Sequence, residues 1–253
     1  MAIHLRLSLL GGVLMLLLSG CSKNKEGTLT LTFKGTFGND PLVMLDYHDY
    51  IDNQRLQFTR SQFFASDIKL IDESGNPHNL SDVELIDLSF TNATAASDGV
   101  TLTFSGVPAG KNQKLELGIG VPQDINATAP SDYPSTSPLS NTAWYWLPWT
   151  SYIFCKTEGF LDTIPDGTDD ATLGFAYHTG TDNLYRILNV GAIEVPQDGS
   201  VHVTYYLDLA KLLGMPDAPL DIKAKPQNHN PLDSVYVQAI TNNLQKAFTV
   251  TIE

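Results

Sequence analysis

Residues 28–34 read TLTLTFK, an alternation in which Leu29, Leu31 and Phe33 take every second position. Successive side chains of a β-strand point to opposite faces of the sheet. A period of two therefore predicts a strand with one face on a hydrophobic core. Threonine, which fills positions 28, 30 and 32, is a residue that favours strands. We expect the folded body to begin with this half-buried strand.

Similar short apolar runs recur along the rest of the chain, and turn sequences such as SDG at 97–99 separate them. Helical patterns occur at 208–213 and 234–246. About ten strands at this spacing predict an all-β fold, a single β-sandwich of Ig-like or jelly-roll-like type with one or two short helices. The predicted strands after the first cover residues 56–58, 68–71, 83–90, 100–104, 115–119, 152–156, 172–178, 191–195, 201–209 and 248–252.

The composition excludes one large class of partner. The chain has 253 residues, and its 15 Lys+Arg against 28 Asp+Glu give a formal net charge of −13. Nucleic acid binding requires clustered Lys and Arg that displace counterions from phosphates. No such cluster occurs in the sequence, so we expect no nucleic acid partner.

The amino-terminal segment has the pattern of a bacterial export signal. Residues 7–18 form an apolar run after Arg6 that is too short to span a bilayer comfortably. The run ends in LSGC at 18–21, which resembles a lipobox, the motif in which a cysteine receives a diacylglyceryl group. We therefore predict that Cys21 is the lipidation site and that the membrane contact is a lipid anchor.

This reading divides the chain into three parts. Residues 1–20 are the predicted lipoprotein signal peptide, residues 21–27 a lipidated tether, and residues 28–253 the β-sandwich domain. The expected location is the cell envelope, with the lipid in the outer membrane. Cys155, the second of the 2 cysteines, has no partner if Cys21 is acylated, and its apolar context predicts a small buried side chain.

Common catalytic signatures are missing from the sequence. It contains no G-x-S-x-G elbow, no H-E-x-x-H pair, no Walker A motif and no dinucleotide glycine pattern. We therefore predict a protein that is not an enzyme. A hydrolase that uses two carboxylates across a cleft stays a weaker alternative, which no spacing in the sequence predicts.

The densest chemical pattern lies at 144–149, where WYWLPW gathers all 3 tryptophans. If residues 152–158 and 172–178 pair as a hairpin, His178 lies opposite Ile153, within about two positions, at the tryptophan end. Trp146 then meets His178 only if Pro148 bends the chain back. The alternative is that the three tryptophans plug the end of the sandwich with His178 hydrogen-bonded beside them.

Four motifs in a fixed order resemble the MbnP-like family of exported copper-binding proteins, and the resemblance spans nearly all of the mature chain. The motifs are PLS at 138–140, WYW at 144–146, YIFCKTEG at 152–159 and GFAYHTG at 174–180. The resemblance implies a β-sandwich that holds copper through two histidines and a tryptophan oxidised to kynurenine. It also implies a di-haem peroxidase-like partner that oxidises this tryptophan. Carried onto this sequence, His178 is the downstream histidine and Trp146 the modifiable tryptophan.

Two positions depart from the family pattern. Ser137 stands where relatives commonly have a histidine before PLS, and Pro148 stands at the second tryptophan of their W-x-W motif. One histidine with a modified aromatic group is too few donors for copper, so we predict a degenerate site unless His48 or His229 supplies the second imidazole.

The position of His202 makes it less suited to that role, because the neighbours on its strand take the apolar face. Two functions remain open from the sequence. One is a copper-binding envelope lipoprotein, and the other is a noncatalytic envelope binding or scaffold lipoprotein without metal.

Overall fold

A computed structural model describes residues 25–164, 166, 168, 171–230, 232–233 and 235–253. The predicted signal peptide and Cys21 lie outside the described residues. The first strand begins at Glu26, so the last two residues assigned to the tether already belong to a strand. Within the described ranges, no helix has the length and apolar character needed to cross a membrane.

The described chain folds into two β-sheets with short helices between the strands. The strands are β1 (Glu26–Phe37), β2 (Asp40–Pro41), β3 (His48–Asp49), β4 (Arg55–Ile71), β5 (Pro77–Asp87), β6 (Val100–Pro108), β7 (Gly110–Ile119), β8 (Tyr145–Trp146), β9 (Ser151–Asp162), β10 (Leu173–Gly180), β11 (Arg186–Val195), β12 (Ser200–Asp208), β13 (Gln227–Asn228) and β14 (Phe248–Ile252). The α-helices are α1 (Ala93–Asp98), α2 (Gln123–Asn126), α3 (Leu209–Leu212) and α4 (Val237–Ala247).

β1 is the central strand of the first sheet. It pairs in parallel with β12 and antiparallel with β6, while β14 extends the sheet beyond β12. Leu29, Leu31 and Phe33 are each 0% exposed. The half-buried strand predicted from the alternation at 28–34 is confirmed.

The second sheet has the order β11-β7-β4-β9-β10-β13 and carries the residues of the candidate site. Its long strand β4 replaces two strands predicted at 56–58 and 68–71, and that prediction was wrong. The register shifts beside Asp67, whose φ is +48°, so the strand bends there without ending. β4 therefore pairs with β9 through residues 55–63 and with β7 through residues 65–71.

The inner faces of the two sheets meet in an apolar core. The Phe33 ring from the first sheet stacks on Tyr205 at 5.1 Å and meets Phe63 of the second sheet edge-on at 5.9 Å. Burial of these aromatic rings between the layers is a major source of stability in such a fold. The chain is a β-sandwich, as predicted.

Helix α4 covers one side of the core. It begins at Val237, three residues after the predicted start at 234. The predicted apolar stripe is confirmed, because its members Tyr236, Ile240, Leu244 and Ala247 are all buried. Helices α1 and α2 were not predicted, and both are shorter than two turns.

The β9–β10 hairpin pairs the motif at 152–159 with the motif at 174–180, in a register that differs from the prediction. His178 lies opposite Lys156, three positions from the predicted partner Ile153. Residue 153 is instead paired with Gly180, after a register shift next to Thr179. The observed pairs place the centre of the hairpin between one and two positions later than predicted, and β9 continues to Asp162 before the loop begins.

Candidate metal centre

The tryptophan motif doubles back on the start of β9. Leu147–Trp149 form one 3-10 turn with Pro148 inside it, and Thr150 follows in a left-handed conformation with φ of +50°. The turn pairs Trp146 with Ser151 in an antiparallel bridge. The bend at Pro148 that the sequence analysis required is therefore present.

The three tryptophans differ in their surroundings. Trp144 is 3% exposed and packs edge-on against Phe64, with ring centroids 4.8 Å apart. Trp146 and Trp149 are half-buried, and their ring centroids lie 5.9 Å apart. Leu147 between them is 79% exposed. Trp144 is therefore part of the core, whereas Trp146 and Trp149 are partly exposed at the surface.

His178 lies on strand β10, and its imidazole contacts the carboxylate of Glu158 on the neighbouring strand β9. Its Nε2 lies 2.8 Å from Oε1 of Glu158. The same oxygen accepts a hydrogen bond from Arg60 Nη1 at 3.1 Å, from the next strand, β4. Because the side-chain bonds run across three adjacent strands, the position of the imidazole is set by the sheet itself.

His229 reaches the same place from the far end of the chain. The short strand β13 pairs in parallel with β10 and places Gln227 beside Ala176 and Asn228 beside Tyr177. His229, the next residue, lies with its ring centroid 4.7 Å from that of His178. The fold thus brings His229, one of the two candidates for the second imidazole, next to His178.

The segment before His229 is tied to the core. The hydroxyls of Tyr50, Tyr177 and Tyr236 each donate a hydrogen bond to a backbone carbonyl within residues 220–225, at 2.7–2.9 Å. The side chain of buried Asn228 accepts a hydrogen bond from the backbone of Asn230. These bonds give His229 a defined position although it lies outside regular strands.

Trp146 completes a row of rings. Its centroid is 5.3 Å from that of His229, with an angle of 35° between the planes. The order in space is His178, His229, Trp146 and Trp149. Of the residues predicted for the metal, His178 and Trp146 thus lie on either side of one further imidazole.

Two imidazole nitrogens in this row are buried without a hydrogen-bond partner, Nδ1 of His178 and Nε2 of His229. Buried nitrogens of this kind carry a free-energy cost unless something binds them. Neutral imidazole is a good ligand for copper, and two such nitrogens suffice for Cu(I). The donor set therefore fits the metal that the sequence resemblance implies.

The fit is limited to these two nitrogens and the indole. In the part of the chain that the structure describes, no group of three or more His, Cys, Asp or Glu side chains is arranged to hold a metal. Glu158 contacts Nε2 of His178, the nitrogen opposite the unpartnered Nδ1, and so supports the ring.

Cys155 is buried, and burial raises the pKa of its thiol to about 12, so it is a protonated core side chain as predicted.

The surroundings of His229 favour its neutral form. Burial lowers the pKa of His229, which favours the neutral imidazole, with a lone pair available, at pH 7. The pKa of Glu158 is lowered, first by the hydrogen bond from His178 and also by Arg60.

Lys156 lies on the tryptophan side of the site. Burial lowers the pKa of Lys156 to about 8. Its Nζ donates to the Ala143 carbonyl at 2.7 Å and lies 4.1 Å from the Trp144 ring centroid.

The other candidate histidines lie elsewhere. His48 stacks on Phe37 at 4.5 Å and also contacts Phe58. His202, on the first sheet, bonds Oγ1 of Thr32 at 2.8 Å.

Ser137, which precedes the PLS motif, has a structural role. It caps the 3-10 turn Pro138–Ser140 through a hydrogen bond from the backbone N–H of Leu139. Ser137 thus supports the local turn, and the imidazole that lies beside His178 is that of His229.

Arg60 and the roles of Glu158 and Lys156 were not predicted. Glu158 and Lys156 stand in the quoted motif at 152–159, but their side-chain partners depend on the pairing of β9 with β4 and β10. Alternation along β9 places both on one face. That alternation was the sequence feature that could have indicated that Lys156 and Glu158 lie on the same face of the sheet.

Comparison with known proteins agrees with the fold. The family model described as MbnP matches residues 26–231. The solved structure of MbnP from Methylosinus trichosporium is similar to this chain, with a TM-score of 0.54 and 12% sequence identity. The similarity covers 90% of this chain and 99% of that one. No curated protein matches the chain.

Proposed function

Because the chain belongs to the MbnP family, which is associated with copper, we propose that it binds Cu(I) between His178 and His229. The observation that supports the proposal is the pair of neighbouring imidazoles, with ring centroids 4.7 Å apart, each of which has a buried nitrogen without a hydrogen-bond partner. In this proposal His229 supplies the second imidazole, because Ser137 stands where relatives commonly have a histidine. In this proposal the site is a complete two-nitrogen site, and the chain is a noncatalytic binding protein.

Copper bound there would supply a one-electron redox couple close to the indole of Trp146. The protein residues supply the rest: His178 and His229 bind, and Trp146 packs against His229 at 5.3 Å. Buried surroundings on the sheet side limit water access to both imidazole nitrogens. Neutral His229 offers its lone pair without first losing a proton, so binding there competes little with protons at pH 7.

We propose that Trp146 is the tryptophan converted to kynurenine by a di-haem peroxidase-like partner that uses hydrogen peroxide as the oxidant. Two peroxide molecules each deliver one oxygen atom and release one water, which breaks the C2–C3 bond of the indole and gives N-formylkynurenine. Hydrolysis then releases the lost carbon as formate. Trp146 is the tryptophan whose ring contacts an imidazole, and it is half-buried beside exposed Leu147. Trp144, by contrast, is 3% exposed. An oxidising partner that approaches from solvent therefore reaches Trp146 more easily than Trp144.

The test uses natively produced protein. Titration with Cu(I) under anaerobic conditions, against a chromophoric chelator, should give one bound ion per chain. The double variant His178→Ala/His229→Ala serves as the blank and should bind none. Equal binding by both proteins, or none by wild type, contradicts the copper assignment.

Peptide mass spectrometry of the same preparation reads the modification. The peptide that contains residues 144–149 should show a mass change equal to the loss of one carbon and the gain of one oxygen, located on Trp146. An unmodified Trp146 in protein that binds copper would retain the metal site and remove the kynurenine proposal. A modified Trp144 would reverse the accessibility argument.

A metal-free scaffold is the second candidate. The observation in its favour is the surface formed by exposed Leu147 with half-buried Trp146 and Trp149, which could contact another envelope component. The copper titration separates the two candidates, since a scaffold without metal gives no binding in wild type.

We also propose that the chain is a lipoprotein anchored through Cys21 in the outer membrane. The predicted consequence is that Cys21→Ala moves the protein from the membrane fraction to the soluble envelope fraction almost completely. Cys155→Ala is the matched control, because Cys155 is buried in the sandwich and should leave fractionation unchanged. Immunoblots of carbonate-washed membranes measure the outcome. Retention of Cys21→Ala in those membranes would contradict lipid anchoring at this residue.

A further inference from the structure

Arg60, Glu158 and His178 form a chain of side-chain contacts across three neighbouring strands. Glu158 lies opposite Arg60 on one side and opposite Ala176, two residues before His178, on the other. One carboxylate oxygen, Oε1, accepts from Arg60 Nη1 at 3.1 Å and lies 2.8 Å from His178 Nε2. The side chains of Glu158 and His178 are 22% and 12% exposed.

This contact determines where the imidazole proton resides. An ionised carboxylate only accepts hydrogen bonds, so Nε2 of His178 must carry the hydrogen. A neutral imidazole carries one N–H, and the other nitrogen then has the free lone pair. That other nitrogen is Nδ1, which is buried without a partner.

Neighbouring cations leave this arrangement undisturbed. Lys156 is two residues before Glu158 on β9, but its Nζ donates to the Ala143 carbonyl and lies over the Trp144 ring. The ammonium group is therefore engaged on the tryptophan side. Glu158 remains the partner of His178 and Arg60.

We infer that Glu158, held in place by Arg60, is a positioning residue that keeps His178 in the Nε2–H form with Nδ1 free to bind copper. The inference rests on the proposed function. Histidines that bind metals commonly donate their second N–H to a carboxylate, which fixes the ring and raises its basicity. Here the carboxylate comes from the adjacent strand, so the sheet register sets the tautomer.

The test replaces the carboxylate by an amide of the same shape in the full-length, natively produced protein. An amide both donates and accepts, so Glu158→Gln no longer imposes one tautomer on His178. We expect the Cu(I) affinity to fall about 10- to 100-fold. Glu116→Gln is the matched control, because Glu116 is similarly buried, with 19% of its side chain exposed, and is ion-paired with Lys69 at 2.7 Å. It should bind copper as wild type does.

A second readout needs no metal. In copper-free protein with ¹⁵N-labelled histidine, long-range ¹H–¹⁵N NMR correlations distinguish the two tautomers. Wild type should show His178 in the Nε2–H form, and Glu158→Gln should show a mixture. A loss of stability alone would move neither the tautomer ratio nor the affinity of the folded protein.

The outcomes separate this inference from the proposed function. Unchanged copper affinity or an unchanged tautomer in Glu158→Gln overturns the positioning role while the copper site stands. Wild type that binds no copper overturns the proposed function, and with it the role of Glu158 toward a metal. Weaker binding together with a mixed tautomer, absent in Glu116→Gln, supports the inference.

Discussion

Replacement of His229 by alanine is expected to lower the Cu(I) affinity at least about 1,000-fold, and replacement of His178 should do the same. Each variant leaves one imidazole where wild type presents two buried nitrogens. A single neutral nitrogen beside an indole is a poor Cu(I) site. The loss corresponds to about 4 kcal/mol of binding free energy. Anaerobic competition with a chromophoric chelator measures it.

His48→Ala is the matched control for this prediction. His48 also has a buried Nε2 without a hydrogen-bond partner, but its ring stacks on Phe37. The control should therefore bind copper as wild type does. Wild-type affinity in His229→Ala would show that the second ligand is another residue, and a loss in His48→Ala alone would place it there.

Phe33→Ala is expected to lower the free energy of unfolding by about 3–5 kcal/mol. Phe33 is fully buried in the central strand of the first sheet and contacts Tyr205 and Phe63, one ring from each layer. Truncation removes both contacts and leaves a cavity between the sheets. Because neighbouring rings are held by their strands, the cavity cannot close fully. Equilibrium unfolding in urea, followed by tryptophan fluorescence, measures the change.

Phe160→Ala tests whether burial is the cause. Phe160 is the same residue type on strand β9 but is 39% exposed. Its truncation should cost less than about 1 kcal/mol. Similar losses in the two variants would mean that the interlayer contacts of Phe33 contribute little beyond ordinary side-chain packing.

Local patterns were sufficient for most strands of the sandwich. The alternation at 28–34 identified β1, because each apolar side chain faces the core in a strand paired on both sides. The stripe from Tyr236 to Ala247 identified α4 for the same kind of reason. Such periodicity depends only on neighbouring residues, and it is present before the chain folds.

The strand β4 and the β9–β10 register were predicted less well. Residues 59–67 of β4 do not alternate regularly between polar and apolar side chains, and the strand crosses this segment with a bend beside Asp67. The register of the hairpin depends on where the chain reverses, and β9 continues to Asp162 before it does. β4 pairs with β9 as far as Asp162, the last residue of β9. This pairing stabilises the extended end of β9.

From the sequence alone came the sandwich, the export signal with Cys21 as a predicted lipidation site, and His178 and Trp146 as predicted metal residues. The choice of His229 as the neighbour of His178 came from the tertiary structure alone. It depends on β13, a strand of two residues that pairs in parallel with β10 across a long stretch of sequence. So short a strand has no periodicity of its own. Its place is decided by packing, including the tyrosine hydroxyls that anchor the segment before it.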